Sequence, residues 1–284
     1  MYRAVIKKNL TIYQNRIKRM ISDKIKEIVE QRQLSIDKDR DFKLTLGEKV
    51  YRDNRHTLSE AIKNKSGISI ISEIKPASPT LGEIRKDLDI KKIAREMESS
   101  GVVGLSILTE PNYFNGSYEN LKLAIENTKL PCLMKDFVID PVQYKIASQL
   151  GATNILIINS ICNLEDNYRS AVEYGLEPLI EIHDVQELLD IERLFEIGLK
   201  PKLIGVNNRN LKTLKINLNT SKEIIPKVKA EFGTDIVVVS ESGVNNIDDI
   251  NYLLEYQADA FLIGSSIMKS DNIKEKILTL RGVS

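Results

Sequence analysis

From Ile68 onward the chain alternates two hydrophobic rhythms. Short, β-branched apolar runs of strand length read "ISIISEIK", "VVGLSIL", "PCLMK", "TNILIIN", "EPLIEI", "KLIGVN", "DIVVVSE" and "DAFLIG". Between them lie segments with apolar residues at helical spacing, such as "DIKKIAREMESS", "DPVQYKIASQLG", "VQELLDIERLFEIG" and "NIDDINYLLEYQ". Gly101, Gly151 and Gly198 each follow a helical segment, where a C-cap glycine belongs. Eight strands alternating with eight helices predict an α/β fold, a closed (β/α)8 TIM barrel. An open doubly wound sheet is the alternative. It usually shows fewer strands, and no glycine-rich dinucleotide turn follows the first strand here. Upstream, "NRIKRMISDKIKEIVEQRQ" sets Ile17, Met20, Ile21, Ile25, Ile28 and Val29 at helical spacing, and a second short helix is predicted near "LSEAIKN". The predicted division is an N-terminal helical extension over residues 1–65, packed on a barrel over 66–284.

The polar residues interrupt this pattern at particular places. The first strand ends in "SEIKPASP", with Glu73 and Lys75 two residues apart and so on one face. Burying both charges without a use for them is costly. A half-exposed strand with a surface ion pair is the plain explanation. The remaining strands argue against it: Lys135 ends the third, Glu181 the fifth, Asn207 and Arg209 the sixth, Glu241 and Ser242 the seventh. Most of their neighbours, Ile74, Met134, Ile180, Ile182 and Val206, are apolar. A barrel gathers these positions at its C-terminal mouth, where barrel enzymes carry their sites. "SESG" and "IGSSIM" close the last two strands, and a short helix after "GSS" would aim its N-terminus at an anion, a common phosphate site in barrels.

Composition narrows the partners. The 284 residues carry a formal net charge of +1, so no global field favours nucleic acid or a membrane surface. The basic N-terminal helix is mixed with acids and reads as a solvated face. Two cysteines, Cys132 and Cys162, and two histidines, His56 and His183, offer neither a disulfide framework nor a metal cluster. No run is long enough to span a bilayer, and no secretory leader pattern follows the basic N-terminus, so a reducing cytoplasm is expected.

The segments "SEIKPASPTLGEI", "LSILTEPNYFNGSYENL", "LMKDFVIDPVQYKIASQLGA", "PLIEIHD", "IGVNNRNLKTLKINL", "VVVSESGV" and "AFLIGSSIM" resemble indole-3-glycerol phosphate synthase, in order and with that family's spacing, from about Leu58 to the C-terminus. The resemblance implies a (β/α)8 barrel with an N-terminal helical extension and a step of tryptophan biosynthesis. The substrate would be 1-(2-carboxyphenylamino)-1-deoxyribulose 5-phosphate. The product would be indole-3-glycerol phosphate, with release of CO2 and water by a carboxy-lyase that needs no metal or organic cofactor. It further implies Lys135 as general acid and Glu181 as the proton-transferring carboxylate with Glu73 as its partner. Lys75 would meet the substrate carboxylate, and Asn207 and Arg209 would orient the substrate. Ser78 and Glu241 would contact it, Leu108, Phe114, Phe137 and Leu156 would form the aromatic slot, and Ser242, Gly243, Gly264 and Ser265 would hold the phosphate. The expected partner is a small phosphorylated molecule. The expected state is a monomer, with other tryptophan-pathway enzymes as the one class of protein contact.

Some of these residues have plainer readings. Glu241 could brace a lysine or arginine, and His183 reads as a helix-opening residue beside Asp184 rather than as chemistry. Tyr113 and Asn115 read as loop packing, and Phe137 as core or ligand pocket. Pro76 stands where the family usually has a basic residue, which removes a charge from the first loop and stiffens it. The extension is longer than usual, and no second barrel follows. Two rival functions make different demands on these residues. Phosphoribosylanthranilate isomerase wants a Cys/Asp pair at strand mouths, and neither cysteine sits at one. A non-catalytic ligand-binding barrel has no need of Lys135 and Glu181.

Overall fold

The barrel closes as predicted. The structure, a computed structural model, describes residues 21–46, 56–86 and 88–283. Its eight parallel strands are β1 (Ile70–Ile74), β2 (Gly104–Leu108), β3 (Cys132–Lys135), β4 (Asn154–Ile158), β5 (Glu177–Ile182), β6 (Leu203–Asn207), β7 (Val237–Glu241) and β8 (Ala260–Ile263). Each pairs with the next, and β1 pairs with β8 to complete the ring. Alternate strand residues point inward and outward. Ile70, Ile74, Leu105, Ile107 and Met134 face the helices, while Ile71, Leu133, Leu156, Leu179, Leu203, Val237 and Val239 fill the barrel.

Helices α1 (Asp23–Thr45) and α2 (Leu58–Lys63) precede the barrel. The crossover helices are α3 (Ile90–Ser99), α4 (Tyr118–Glu126), α5 (Pro141–Leu150), α6 (Leu164–Glu173), α7 (Leu188–Glu196), α8 (Asn219–Phe232) and α9 (Ile247–Leu254). After β8 come α10 (Ser265–Met268), the short helix foreseen after "GSS", and α11 (Ile273–Leu280). Gly101, Gly151 and Gly198 all take left-handed conformations past their helices. The β1 strand is shorter than the run that suggested it, and a small hairpin follows: Ala77–Ser78 pairs with Gly82–Glu83, and the Pro76 carbonyl accepts the Ile84 N–H.

α2 plugs the N-terminal end of the barrel. Leu58 occupies the space where a Cβ on Gly104 would lie 2.2 Å from its Cδ2, and the Leu58 N–H donates to Asn154. Glu177 accepts from Thr57, Ser59 and Asn154, which fixes the plug. The first part of the predicted N-terminal helix, with Ile17 and Met20, lies outside the described residues. The described helix starts at Asp23 because the Ser22 hydroxyl caps it, accepting the Ile25 N–H, and it continues twelve residues beyond Gln33. Ile25 and Ile28 point at the mouth of the barrel, where they join Leu211 and Phe137.

Candidate active site

The inner face of the mouth is a chain of charges. The two charges of "SEIK" do share a face, and Lys75 Nζ pairs directly with Glu73. Lys135 lies between two carboxylates, 3.1 Å from Glu73 Oε1 and 3.0 Å from Glu241 Oε2. Burial pushes Glu73 toward the neutral form, but Lys135 and Lys75 outweigh it and hold the carboxyl down at about 2. Burial likewise opposes the charge on Lys135, and Glu73, Glu241 and Glu181 overcome it, so the amine is held well above the usual lysine value. At neutral pH, Lys135 is therefore a cation.

Above these charges lies a cavity of about 600 Å³. It is lined by Glu73, Lys75, Ser78, Lys135, Glu181, Asn207 and Arg209 at its polar wall. Leu108, Phe114, Phe137 and Leu156 line its apolar side together with Ile25 and Ile28 of α1. Phe114 and Phe137 sit 6.3 Å apart at 42° and leave a slot suited to a flat ring. At the other end Ser242, Gly243, Gly264 and Ser265 line the same cavity. Ser242 and Gly243 are consecutive left-handed residues, with φ of 66° and 93°. A serine rarely adopts that conformation outside a functional turn. Successive residues of this kind turn backbone N–H groups into an anion-binding concavity.

Three expectations change. Glu241 was placed against the substrate, yet it is fully buried and does not line the cavity; it braces Lys135 from behind. Glu73 was placed as the partner of Glu181, yet Glu73 is occupied by the two lysines, and the side chain paired with Glu181 is His183. His183 is also not a cap. Asp184 caps the turn, accepting the Gln186 N–H, and the His183 ring is buried with Nε2 3.1 Å from Glu181 Oε1. Strand alternation held this signal, since His183 follows Glu181 by two residues.

Several supporting residues escaped the sequence reading. Asn208 donates to Ser240, to the Glu241 and Ser242 carbonyls, and accepts from the Ser221 N–H, which pins the left-handed turn. Glu110 accepts the N–H groups of Asn112, Tyr113 and Phe114 and so holds Phe114 over the cavity. Tyr113 is more than packing: its hydroxyl donates to Glu27 at 2.7 Å, and Lys24 Nζ stands 4.4 Å over its ring, joining the second loop to α1. Among the described residues, no group of His, Cys, Asp and Glu is placed to hold a metal ion, and no helix is long and apolar enough to cross a membrane.

Fold and site define a (β/α)8-barrel enzyme with a lysine cation, buried carboxylates and a left-handed Ser-Gly turn at its C-terminal mouth. The family model for indole-3-glycerol phosphate synthase matches residues 17–280. An indole-3-glycerol phosphate synthase of Methanocaldococcus jannaschii is 41% identical over 274 residues, covering 94% of this chain and 96% of that protein. Those of Acetivibrio thermocellus and Aquifex aeolicus are 37% and 35% identical, covering 90% and 91% of this chain and 98% of each relative. The chain belongs to the indole-3-glycerol phosphate synthase family. Among solved structures, thiamine phosphate pyrophosphorylase from Pyrococcus furiosus superposes with a TM-score of 0.56 at 15% identity, over 80% of this chain and 96% of that one, a likeness of fold alone.

Proposed function

We propose that this mouth closes the indole ring of 1-(2-carboxyphenylamino)-1-deoxyribulose 5-phosphate, acting as a carboxy-lyase. The observation that carries the reading is Lys135, a half-buried cation held by two carboxylates on the wall of the cavity that also contains the aromatic slot. The ring carbon bearing the carboxylate attacks the ribulose ketone, and Lys135 gives a proton to the ketone oxygen as it becomes a hydroxyl. The bond to the carboxylate then breaks, its electron pair restores the aromatic ring, and CO2 leaves. In the last step the new hydroxyl takes a proton and departs as water, and a base removes a proton from the methylene carbon on nitrogen. Glu181 is that base, and Lys75 stands near enough to the same wall to bind the substrate carboxylate and assist the departure. Asn207 and Arg209 orient the ribulose hydroxyls, with Asn207 itself fixed by accepting the Arg209 N–H at 2.9 Å. The backbone of Ser242, Gly243, Gly264 and Ser265 takes the phosphate. Ser78, whose hydroxyl accepts the Leu81 N–H, borders the substrate from the first loop.

In this reading one chain supplies every group, consistent with a monomer acting on a small phosphorylated molecule in the cytoplasm. The test is direct: purified protein is given the synthetic substrate and product is followed by indole fluorescence. The chain contains no tryptophan, so the background is low. Absence of indole-3-glycerol phosphate from folded protein would sink the reading.

A further inference from the structure

Glu181 on β5 and Glu241 on β7 flank the strand between them. Residue 205 of β6, in register with Glu181, is a glycine, and a Cβ there would lie 2.0 Å from Glu241 Oε1. The missing side chain leaves the space that the Glu241 carboxyl occupies beside Glu181. Glu241 Oε2 accepts from Lys135, while Oε1 is buried and accepts from no N–H or O–H donor. A buried carboxylate oxygen without a donor is costly, whereas a protonated one facing a carboxylate is satisfied. A carboxylate disfavours a second one beside it, which favours a single proton on the pair.

Which carboxyl keeps the proton depends on what else each one faces. His183 Nε2 approaches Glu181 Oε1 at 3.1 Å, obliquely, and its Nδ1 lies 3.8 Å from Glu187 Oε2. Glu187 is itself locked: it accepts the N–H groups of His183 and Asp184, the Ser160 hydroxyl at 2.6 Å and the Asn159 amide at 3.1 Å. His183 is thus clamped between a fixed anion and Glu181. The other titratable or charged groups near this pair are Lys135, Glu73, Arg209, Cys162 and Asp190.

We propose that His183 is a positioning residue that sets the order of protonation in the Glu181–Glu241 pair: as an imidazolium it keeps Glu181 the carboxylate and leaves the shared proton on Glu241 Oε1. The electrostatics agree in direction. Burial pushes Glu241 up to about 8 with help from Glu181 and against Lys135, while His183 and Lys135 hold Glu181 at about 2 despite its burial. Burial opposes the imidazolium, but Glu181 and Glu187 hold it on the ring up to about 10. The inference rests on Glu181 being the base of the proposed reaction. Kept as the carboxylate, Glu181 is in the protonation state that can accept the substrate proton.

The test compares pH profiles of kcat and KM for wild type, His183→Asn and Glu187→Gln. His183→Asn should move the acid limb of kcat upward by about one pH unit or more, since the proton then divides between the two carboxyls. KM should stay within about two-fold, because the phosphate turn is untouched. Glu187→Gln should move the limb the same way by less. Limbs superimposable on wild type, whatever the loss in kcat or melting temperature, would reduce His183 to packing and overturn the proposal. A second measurement needs no folded His183 variant. The infrared spectrum of wild type at about pH 7 should contain a protonated-carboxyl band that Glu241→Gln removes. A wild-type spectrum without that band also overturns the proposal. Failure of the functional reading is separate: it would appear as a wild type that makes no product while keeping the band.

Discussion

Arg32 and Asp136 form a doubly hydrogen-bonded pair, Nε to Oδ1 at 2.8 Å and Nη2 to Oδ2 at 3.1 Å, between α1 and the residue next to Lys135. Arg32 is fully buried and also donates to Asp39, Ser35 and the Tyr118 hydroxyl, while Thr109 completes Asp136. The N-terminal extension is therefore wired to the turn that carries Lys135. Breaking a buried pair from one side typically costs about 3–5 kcal/mol, because the partner charges are left unpaired. Arg32→Met should lower stability by about that much in denaturant titration, and kcat should fall along with it as the Lys135 turn loosens. Unchanged stability would mean that the pair is held in place by the barrel alone.

Lys135→Met keeps most of the aliphatic stem and removes the cation. Glu73 retains Lys75, and Glu241, already raised by burial, can take a proton in place of Lys135, so the fold should persist. Turnover should fall by about 10²–10⁴-fold, the usual contribution of a general acid. Product formation near the wild-type rate by folded Lys135→Met would remove it from the chemistry.

The strands, the extension and the charged wall were legible because each rests on a local rule: period-two burial, helical spacing, and polar residues breaking an apolar run at its end. The partners of those charges were not legible. Strand alternation says that Glu73, Glu181 and Glu241 face inward, but only the register of the closed ring says which carboxyls lie beside each other. The deciding feature is the absent side chain of Gly205, and a glycine in a strand is silent about what fills its space. The Arg32 cluster spans 104 residues of sequence between its two main members, beyond any local pattern.

Gly264 has a similar hidden role. Its φ is −119°, so its backbone does not require glycine, yet a Cβ there would lie 2.3 Å from Glu73 Oε2. Gly264→Ala should displace Glu73, on which both lysines depend, and lower kcat more than it raises KM. Gly264→Asp adds a carboxylate where the phosphate is proposed to sit and should raise KM sharply as well. Steady-state kinetics separate the two. A crystal soaked in sulfate should show the anion between Ser242–Gly243 and Gly264–Ser265; an anion bound only elsewhere in the mouth would move the phosphate site.

Stability should depend on pH on both sides. Glu73 and Glu181, lowered from 4.5 to about 2, contribute stability above their ordinary value that is lost as pH falls toward about 2. His183, raised from 6.5 to about 10, contributes fully below 6.5 and loses its contribution as pH rises through about 10. Glu241, raised from 4.5 to about 8, contributes fully below 4.5 and loses its contribution as pH rises from there through about 8. The melting temperature should therefore peak near about pH 4–5 and decline toward about pH 10. The alkaline decline should be shallower in His183→Asn. A variant whose alkaline slope equals that of wild type would show that the imidazolium contributes nothing to the fold.

Glu181→Gln separates catalyst from strut. Glutamine keeps the volume and one acceptor for His183 but cannot exchange a proton with the substrate. If Glu181 is the base, kcat should fall by about 10²–10⁴-fold with KM little changed. The structural cost should be smaller than that of Arg32→Met, for a reason visible in the partner. Arg32→Met leaves two buried carboxyls, Asp39 and Asp136, without their shared cation, whereas His183, left beside glutamine, can release its proton and remain buried as a neutral ring. The melting temperature should thus fall only modestly near neutral pH, and the pH dependence carried by His183 should weaken. Calorimetry of wild type and variant across pH, run beside the kinetics, checks both. A steep drop in melting temperature, with residual activity tracking the fraction folded, would make Glu181 a structural anchor and leave the proton transfer to another group of the mouth.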